Sequence, residues 1–227
     1  MLSAIAVIPS TPVLVPELAG EAAAELTDLR EAVFAAASEL PQQWLAIGVG
    51  ATDAAIGAQA TGTFAGYGID LAVGLSPEAH IVQDLPLCAL MTAWVRLQAQ
   101  PAARAEVHVL ARDTDGDDAK RRGARLRTRA DDADVPVGVL VVADGATTLT
   151  PPAPGGHDPS SVAVQAALDD ALAAADLAAL ADLPSSISGR AAWHALAGLV
   201  GAAPRSTTEL YRGAPYGVGY FAGVWYP

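Results

Sequence analysis

Four histidines, His80, His108, His157 and His194, are the residues best suited to proton transfer or metal ligation, and no two are spaced to share a helix face. His108 alternates within a strand-like run and His194 stands beside Trp193 in a helical one, so both read as packed histidines. His157 differs. It lies in a Gly- and Pro-rich loop beside Asp158, where it is a candidate for binding or acid–base work. Asp144 follows the apolar run 137–143, with Thr147 and Thr148 close behind. A carboxylate among hydroxyls is the pattern of a general base or of a polar ligand site.

Other short patterns fail on physical grounds. Gly48 and Gly50 follow an apolar run as in a dinucleotide-binding turn, but Asp53 replaces the third glycine and its charge opposes a pyrophosphate. Asp113, Asp115 and Asp117 are spaced like the opening of a calcium loop. However, glycine falls at the fourth position rather than the sixth, and Ala124 stands where a bidentate Glu is needed. The chain has no GxSxG, HExxH or GxxxxGK[ST] segment. Cys88 is the single cysteine, so no intramolecular disulfide can form, and its apolar neighbours mark it as a buried structural thiol.

The elements that must position these residues follow from composition and periodicity. With 227 residues, 52% hydrophobic and 17% charged, the chain is expected to form one domain over 1–227, and disordered, collagen and coiled-coil classes are excluded. A formal charge of −12 repels phosphate backbones, and the basic run 120–129 is flanked by aspartates as a solvated helix would be, so no nucleic-acid partner is expected. The apolar start has no basic lead and is interrupted by Pro9, Pro12 and Pro16, which predicts no membrane association and a cytoplasmic soluble protein.

Strands are predicted at 2–8, 44–49, 69–75, 106–111 and 137–143, and helices at 19–40, 85–98, 113–130, 162–175 and 189–200. Segments 57–68 and 150–159 read as loops, and the tail as a hairpin around 213–216. This alternation predicts an α/β layered fold, a mostly parallel central sheet flanked by helices, with the β-branched run 137–143 at its centre. The tail residues Tyr216, Tyr220, Phe221, Trp225 and Tyr226 form either a core hairpin or the interface of a homo-oligomer.

Three segments carry a further pattern: IPSTPVLVPELAG at 8–20, VVADGATTLTPPAPGGHD at 141–158 and GAPYGVGY at 213–220. In order and spacing they resemble the opening, central and closing motifs of the class III extradiol ring-cleavage dioxygenase superfamily, the LigB-type fold that also includes Memo-like proteins. The resemblance implies a LigB-like fold, a ferrous 2-His-1-carboxylate centre and a catalytic histidine. The two histidine ligands would fall at Ser10 and around Gly50, the catalytic histidine at Thr147 and the carboxylate at Ile187. None of these residues can fill its role. Disturbing even a group behind the ligands typically costs about 10–100-fold in metal affinity, so the family Fe(II) is expected to be lost, with no metal and no catalytic residue retained.

The loops after the first, second and central strands should still converge beyond the carboxyl ends of the strands. Ser10, Thr11, Gly50, Asp144, Thr147, Thr148 and His157 are the expected binding residues, suited to a small polar or aromatic ligand held by hydrogen bonds. The expectation is a non-catalytic small-molecule- or partner-binding protein. The alternative is an enzyme with a remodelled pocket, a hydrolase or a metal-dependent oxygenase. In it Asp144 acts as base beside Thr147 or Thr148, or Glu17, Asp144 and His157 gather a divalent ion.

Overall fold

The β-branched and alternating runs pair into strands in the computed structural model, which describes all 227 residues. In chain order the strands are β1 (Leu2–Ile8), β2 (Gln43–Gly50), β3 (Ala54–Ile56), β4 (Ala60–Thr63), β5 (Ala72–Gly74), β6 (Ile81–Val82), β7 (Arg104–Ala111), β8 (Val137–Val142), β9 (Ser206–Gly213) and β10 (Tyr220–Tyr226). The helices are α1 (Pro16–Ala19), α2 (Thr27–Ser38), α3 (Leu87–Ala99), α4 (Gly116–Asp131), α5 (Ser160–Ala174), α6 (Leu177–Ala181) and α7 (Arg190–Val200).

Seven strands form one sheet in the order β3-β7-β2-β8-β1-β10-β9, and β5-β4-β6 form a small second sheet. The run expected at the centre is there: β8 is buried along its whole length between β1 and β2. The inner strands β7, β2, β8 and β1 are parallel, whereas β3, β10 and β9 add antiparallel. The sheet is therefore mixed rather than mostly parallel. The connections that enter β3 and β10 are too short for a crossover helix, so those strands add antiparallel.

Helices cover both faces. On one, Leu29, Val33, Cys88, Met91 and Trp94 pack on Ala6, Ala46 and Val107; on the other, Leu126, Leu172, Trp193 and Leu196 pack on Ile5, Ile47, Val139 and Val141. The chain moves outward from β1 through β2 to β7 with α2 and α3 on the first face. It returns to β8 through α4 on the second, the sense that right-handed crossovers require. This reversal puts the carboxyl ends of β1, β8, β2 and β7 side by side.

Three local expectations change. The helix expected at 19–40 divides, with a 3-10 stretch Gly20–Leu26 ahead of α2, because Gly20 adopts φ +56° and breaks the first turn away. The loop expected at 57–68 contains β4 and a 3-10 turn. Gly62 lies against Leu85, where a side chain would not fit, so its glycine serves packing rather than flexibility. The strand expected at 69–75 shortens to β5 and joins the small sheet.

The failed motifs have structural roles. Asp115 caps α4 by accepting the Asp117 and Asp118 N–H groups at 2.9 and 3.3 Å. Asp53 accepts the Ala111 N–H at 2.8 Å and pairs with Arg122 at 2.8 Å, while Arg129 pairs with Glu106. Arg129 first, and His108 after it, hold the Glu106 carboxyl down at about 2. Cys88 is buried against Gly48 with its thiol pushed up to about 12 by desolvation, the inert packing thiol expected. His194 is buried on α7 without a hydrogen-bond partner, and burial lowers its pKa. Tyr220, Phe221 and Trp225 are buried within the chain, and the Trp225 indole donates to the Leu172 carbonyl at 3.0 Å, the core-hairpin arrangement. No helix is long and apolar enough to cross a membrane.

Two glycines set the spacing of α4 and α7. A Cβ at Gly123 would stand 1.9 Å from the Ala195 carbonyl oxygen, and one at Gly198 would stand 2.1 Å from that of Lys120. Gly123→Ala should therefore force the helices apart and lower the urea midpoint, at a cost of about 1–3 kcal/mol or more. An unchanged midpoint would contradict this packing.

Candidate functional site

The site is built from the residues that follow the inner strands. Ser10 lies two residues beyond β1, Gly50 ends β2, Arg112 follows β7 and Asp144 lies two residues beyond β8. Backbone bonds continue past the strand ends: the Ala143 N–H donates to Ile8 O at 3.0 Å and the Arg112 N–H to Gly50 O at 3.1 Å. Asp144 is the junction. Its carboxylate accepts the Ser10 N–H at 2.8 Å, and its carbonyl accepts the Gly189 N–H at 2.9 Å and the Trp193 indole N–H at 3.3 Å. Burial pushes the Asp144 carboxyl up to about 7, and the Ser10 N–H offsets only part of that desolvation.

Two adjoining recesses open here. The first, about 290 Å³, has Asp144, Ser10, Gly50, Tyr67 and Arg112 around it, with Val49, Pro86 and Leu87 as apolar walls. The second, about 500 Å³, is lined by Thr147, Thr148, Asp158, Ser161, Ser185 and Ser186, and it shares Arg112 and Ser188 with the first. The Arg112 guanidinium makes no ion pair or hydrogen bond within the chain, which leaves it free for a ligand. A larger groove of about 610 Å³ runs along α4, but its Arg122 and Arg129 are already held by Asp53, Asp118 and Glu106.

The loop that carries Asp144 is fixed from below by a buried polar chain. Gln165 accepts the Ala146 N–H at 2.8 Å and donates to Asp169 at 2.8 Å, whose carboxyl burial pushes up to about 6. Gln165 fits only because Gly145 and Gly219 lack side chains: a Cβ on either would come within 2.0 or 2.1 Å of its amide oxygen. The Gly145 N–H donates to Gly219 O and the Gly219 N–H to Ala146 O, which ties this loop to the start of β10.

The expected residues separate. Ser10, Gly50 and Asp144 meet in the first recess, and Thr147 and Thr148 line the second, where Thr148 shares a 2.6 Å hydrogen bond with Ser161. Thr11 lies outside both: it turns inward, is buried and pairs with the Tyr220 hydroxyl at 3.1 Å. His157 also lies outside both, exposed where Gly156, at φ +82°, turns the chain towards solvent. Glu17 is exposed on α1, so Glu17, Asp144 and His157 do not gather.

The residues at the positions implied for iron do not fit it. They offer two hydroxyls, Ser10 and Thr147, a bare glycine, and Ile187, which is buried and bridged to Ala146. No group of three or more His, Cys, Asp or Glu is placed to hold a metal ion. Sequence reasoning missed Arg112, Tyr67 and the serines at 185, 186 and 188. Arg112 had a signal, since it follows its strand as Ser10 and Asp144 follow theirs.

No family model matches the chain, and no curated protein matches it. Among solved structures, it is similar to the crystal structure of the uncharacterized protein JW3007 from Escherichia coli K12. The TM-score is 0.56 at 10% identity, covering 99% of this chain and 100% of that one. That likeness concerns the fold alone.

The raised Asp144 carboxyl has a consequence for stability. Native Asp144 keeps its proton to higher pH than the unfolded chain, whose aspartates titrate near 3.8, so its own contribution to stability falls as pH rises from about 4 to about 7. Asp144→Asn removes this penalty. Its urea midpoint should exceed that of the parent protein above pH 7, with the difference closing below pH 4; a difference independent of pH would contradict the burial of the charge.

Proposed function

We propose that the chain is a LigB-like α/β domain without the family iron centre, which binds a small polar or aromatic ligand in the Asp144 recess. One observation carries the reading. A desolvated carboxyl, raised to about 7, sits where the ends of four parallel strands meet, beside a cation with no partner of its own. At neutral pH such a carboxyl is present in both forms, so it can donate or accept a hydrogen bond. Arg112 and Tyr67 add polar groups to the lining, and Val49, Pro86 and Leu87 supply contact for a small ring.

The vacant iron positions support a binding role over ring cleavage, because function resides in the site and not in the scaffold. A second reading, an enzyme with a remodelled pocket, is favoured by the same carboxyl. An aspartate with a pKa near neutrality is a far better general base than an ordinary one. Thr147 lies in the adjoining recess and His157 lies outside, so that reading now rests on Asp144.

Two measurements test the proposal. Freshly purified protein should contain iron and other transition metals far below stoichiometry, and about one equivalent per chain would contradict it. Titration with phenol or catechol, followed by amide NMR, should shift resonances around Asp144 and Arg112 without turnover. Turnover abolished in Asp144→Ala would instead establish the enzymatic reading.

A further inference from the structure

We propose that the two recesses form one bipartite site for a ligand that joins a planar ring to an uncharged, polyhydroxylated tail, the chemistry shared by aryl glycosides and nucleosides. The inference rests on the small-ligand reading above and names the ligand class. Its basis is the contrast in residue type between two compartments that adjoin at Arg112 and Ser188, which line both.

The first compartment, about 290 Å³, takes a single ring: Val49, Pro86 and Leu87 give apolar contact within a lining that is otherwise mostly polar, and the Asp144 carboxyl can engage a ring hydroxyl or nitrogen. The second, about 500 Å³, is chemically different. Apart from Pro154 and Gly155, every side chain that lines it is polar. Thr147, Ser185, Ser186 and Ser188 line it, and their hydroxyls make no hydrogen bond within the chain, so their donors and acceptors are free for a ligand. Gly155 keeps the wall open, since a Cβ there would stand 2.6 Å from the Thr147 hydroxyl.

Charge selects the tail. Arg112 is the only cation of the second recess and Asp158 its only carboxylate, held ionised by the Ser160 hydroxyl and N–H. The two charges balance, and the carboxylate repels a phosphate that Arg112 alone would attract. A guanidinium fork, a carboxylate and free hydroxyls instead match the alternating donors and acceptors of neighbouring sugar hydroxyls. The protonated fraction of Asp144 suits the same neutral ligand, because it adds a donor without a charge.

Calorimetry on the full chain with phenol, glucose, phenyl β-glucopyranoside, uridine and inorganic phosphate tests this. Phenyl glucoside or uridine should bind at least about tenfold more tightly than phenol or glucose, and the tighter of the two identifies the ring. Ser186→Leu, at an exposed position, should erase that gain and leave phenol binding intact; Arg112→Gln should reduce it. If phenol binds with dependence on Asp144 and the sugar adds nothing, the bipartite site is wrong and the small-ligand reading stands. If phenol and both conjugates fail to bind, both are wrong. Displacement of a bound conjugate by phosphate, or a gain that survives Ser186→Leu, would also overturn the uncharged tail.

Discussion

Asp144 is held at three points, and the candidate site depends on that arrangement. Its carboxylate takes the Ser10 N–H from the end of β1, and its carbonyl takes the Gly189 N–H and the Trp193 indole from the start of α7. One residue thus fixes the exit of β1, the exit of β8 and the entry of α7 around a common point. The cost is a carboxyl largely withdrawn from water with a single backbone donor. Moving its pKa from 3.8 to about 7 corresponds to a penalty on the order of a few kcal/mol for the ionised form, less whatever residual solvent contact screens. A shifted carboxyl in a strand-end cleft is the pattern found at functional sites, and it is this feature that the proposed binding role uses.

Glycine makes the arrangement possible. Gly145 and Gly219 admit Gln165, which anchors the Asp144 loop, and Gly189 packs against the Asp144 carbonyl and the Trp193 indole. On the helical face Gly123 and Gly198 bring α4 onto α7, and so position the helix whose first turn bonds to the Asp144 carbonyl. Around the Asp144 loop the buried Gln165 amide is satisfied at both ends, which is what lets an otherwise apolar core carry a polar loop.

Much of the scaffold was legible in the sequence. The β-branched run of β8 indicated a strand buried on both faces, and Leu87, Leu90, Met91 and Trp94 indicated one apolar helix face, of which Leu90, Met91 and Trp94 are buried and Leu87 only partly so. The tail hairpin was legible and forms β9 and β10, but the antiparallel joining of β10 to β1 and of β3 to β7 was not, because strand direction depends on which edge a short connection reaches. The division of the 19–40 helix turned on one positive φ at Gly20. For the candidate site, the rule that loops after parallel strands converge anticipated that Ser10, Gly50 and Asp144 line one recess. It could not give side-chain direction: Thr11, one residue past Ser10, points inward to Tyr220, and His157 points to solvent. Arg112 obeyed the same rule but carried no motif to draw attention to it.

The account stands or falls on the state of the Asp144 carboxyl. A carbon-13 NMR titration of the aspartate side-chain carboxyls, with the Asp144 signal assigned by its loss in Asp144→Asn, reads it directly. The account predicts a midpoint near 7; a midpoint near the ordinary 3.8 would show a solvated, unperturbed carboxylate and contradict it.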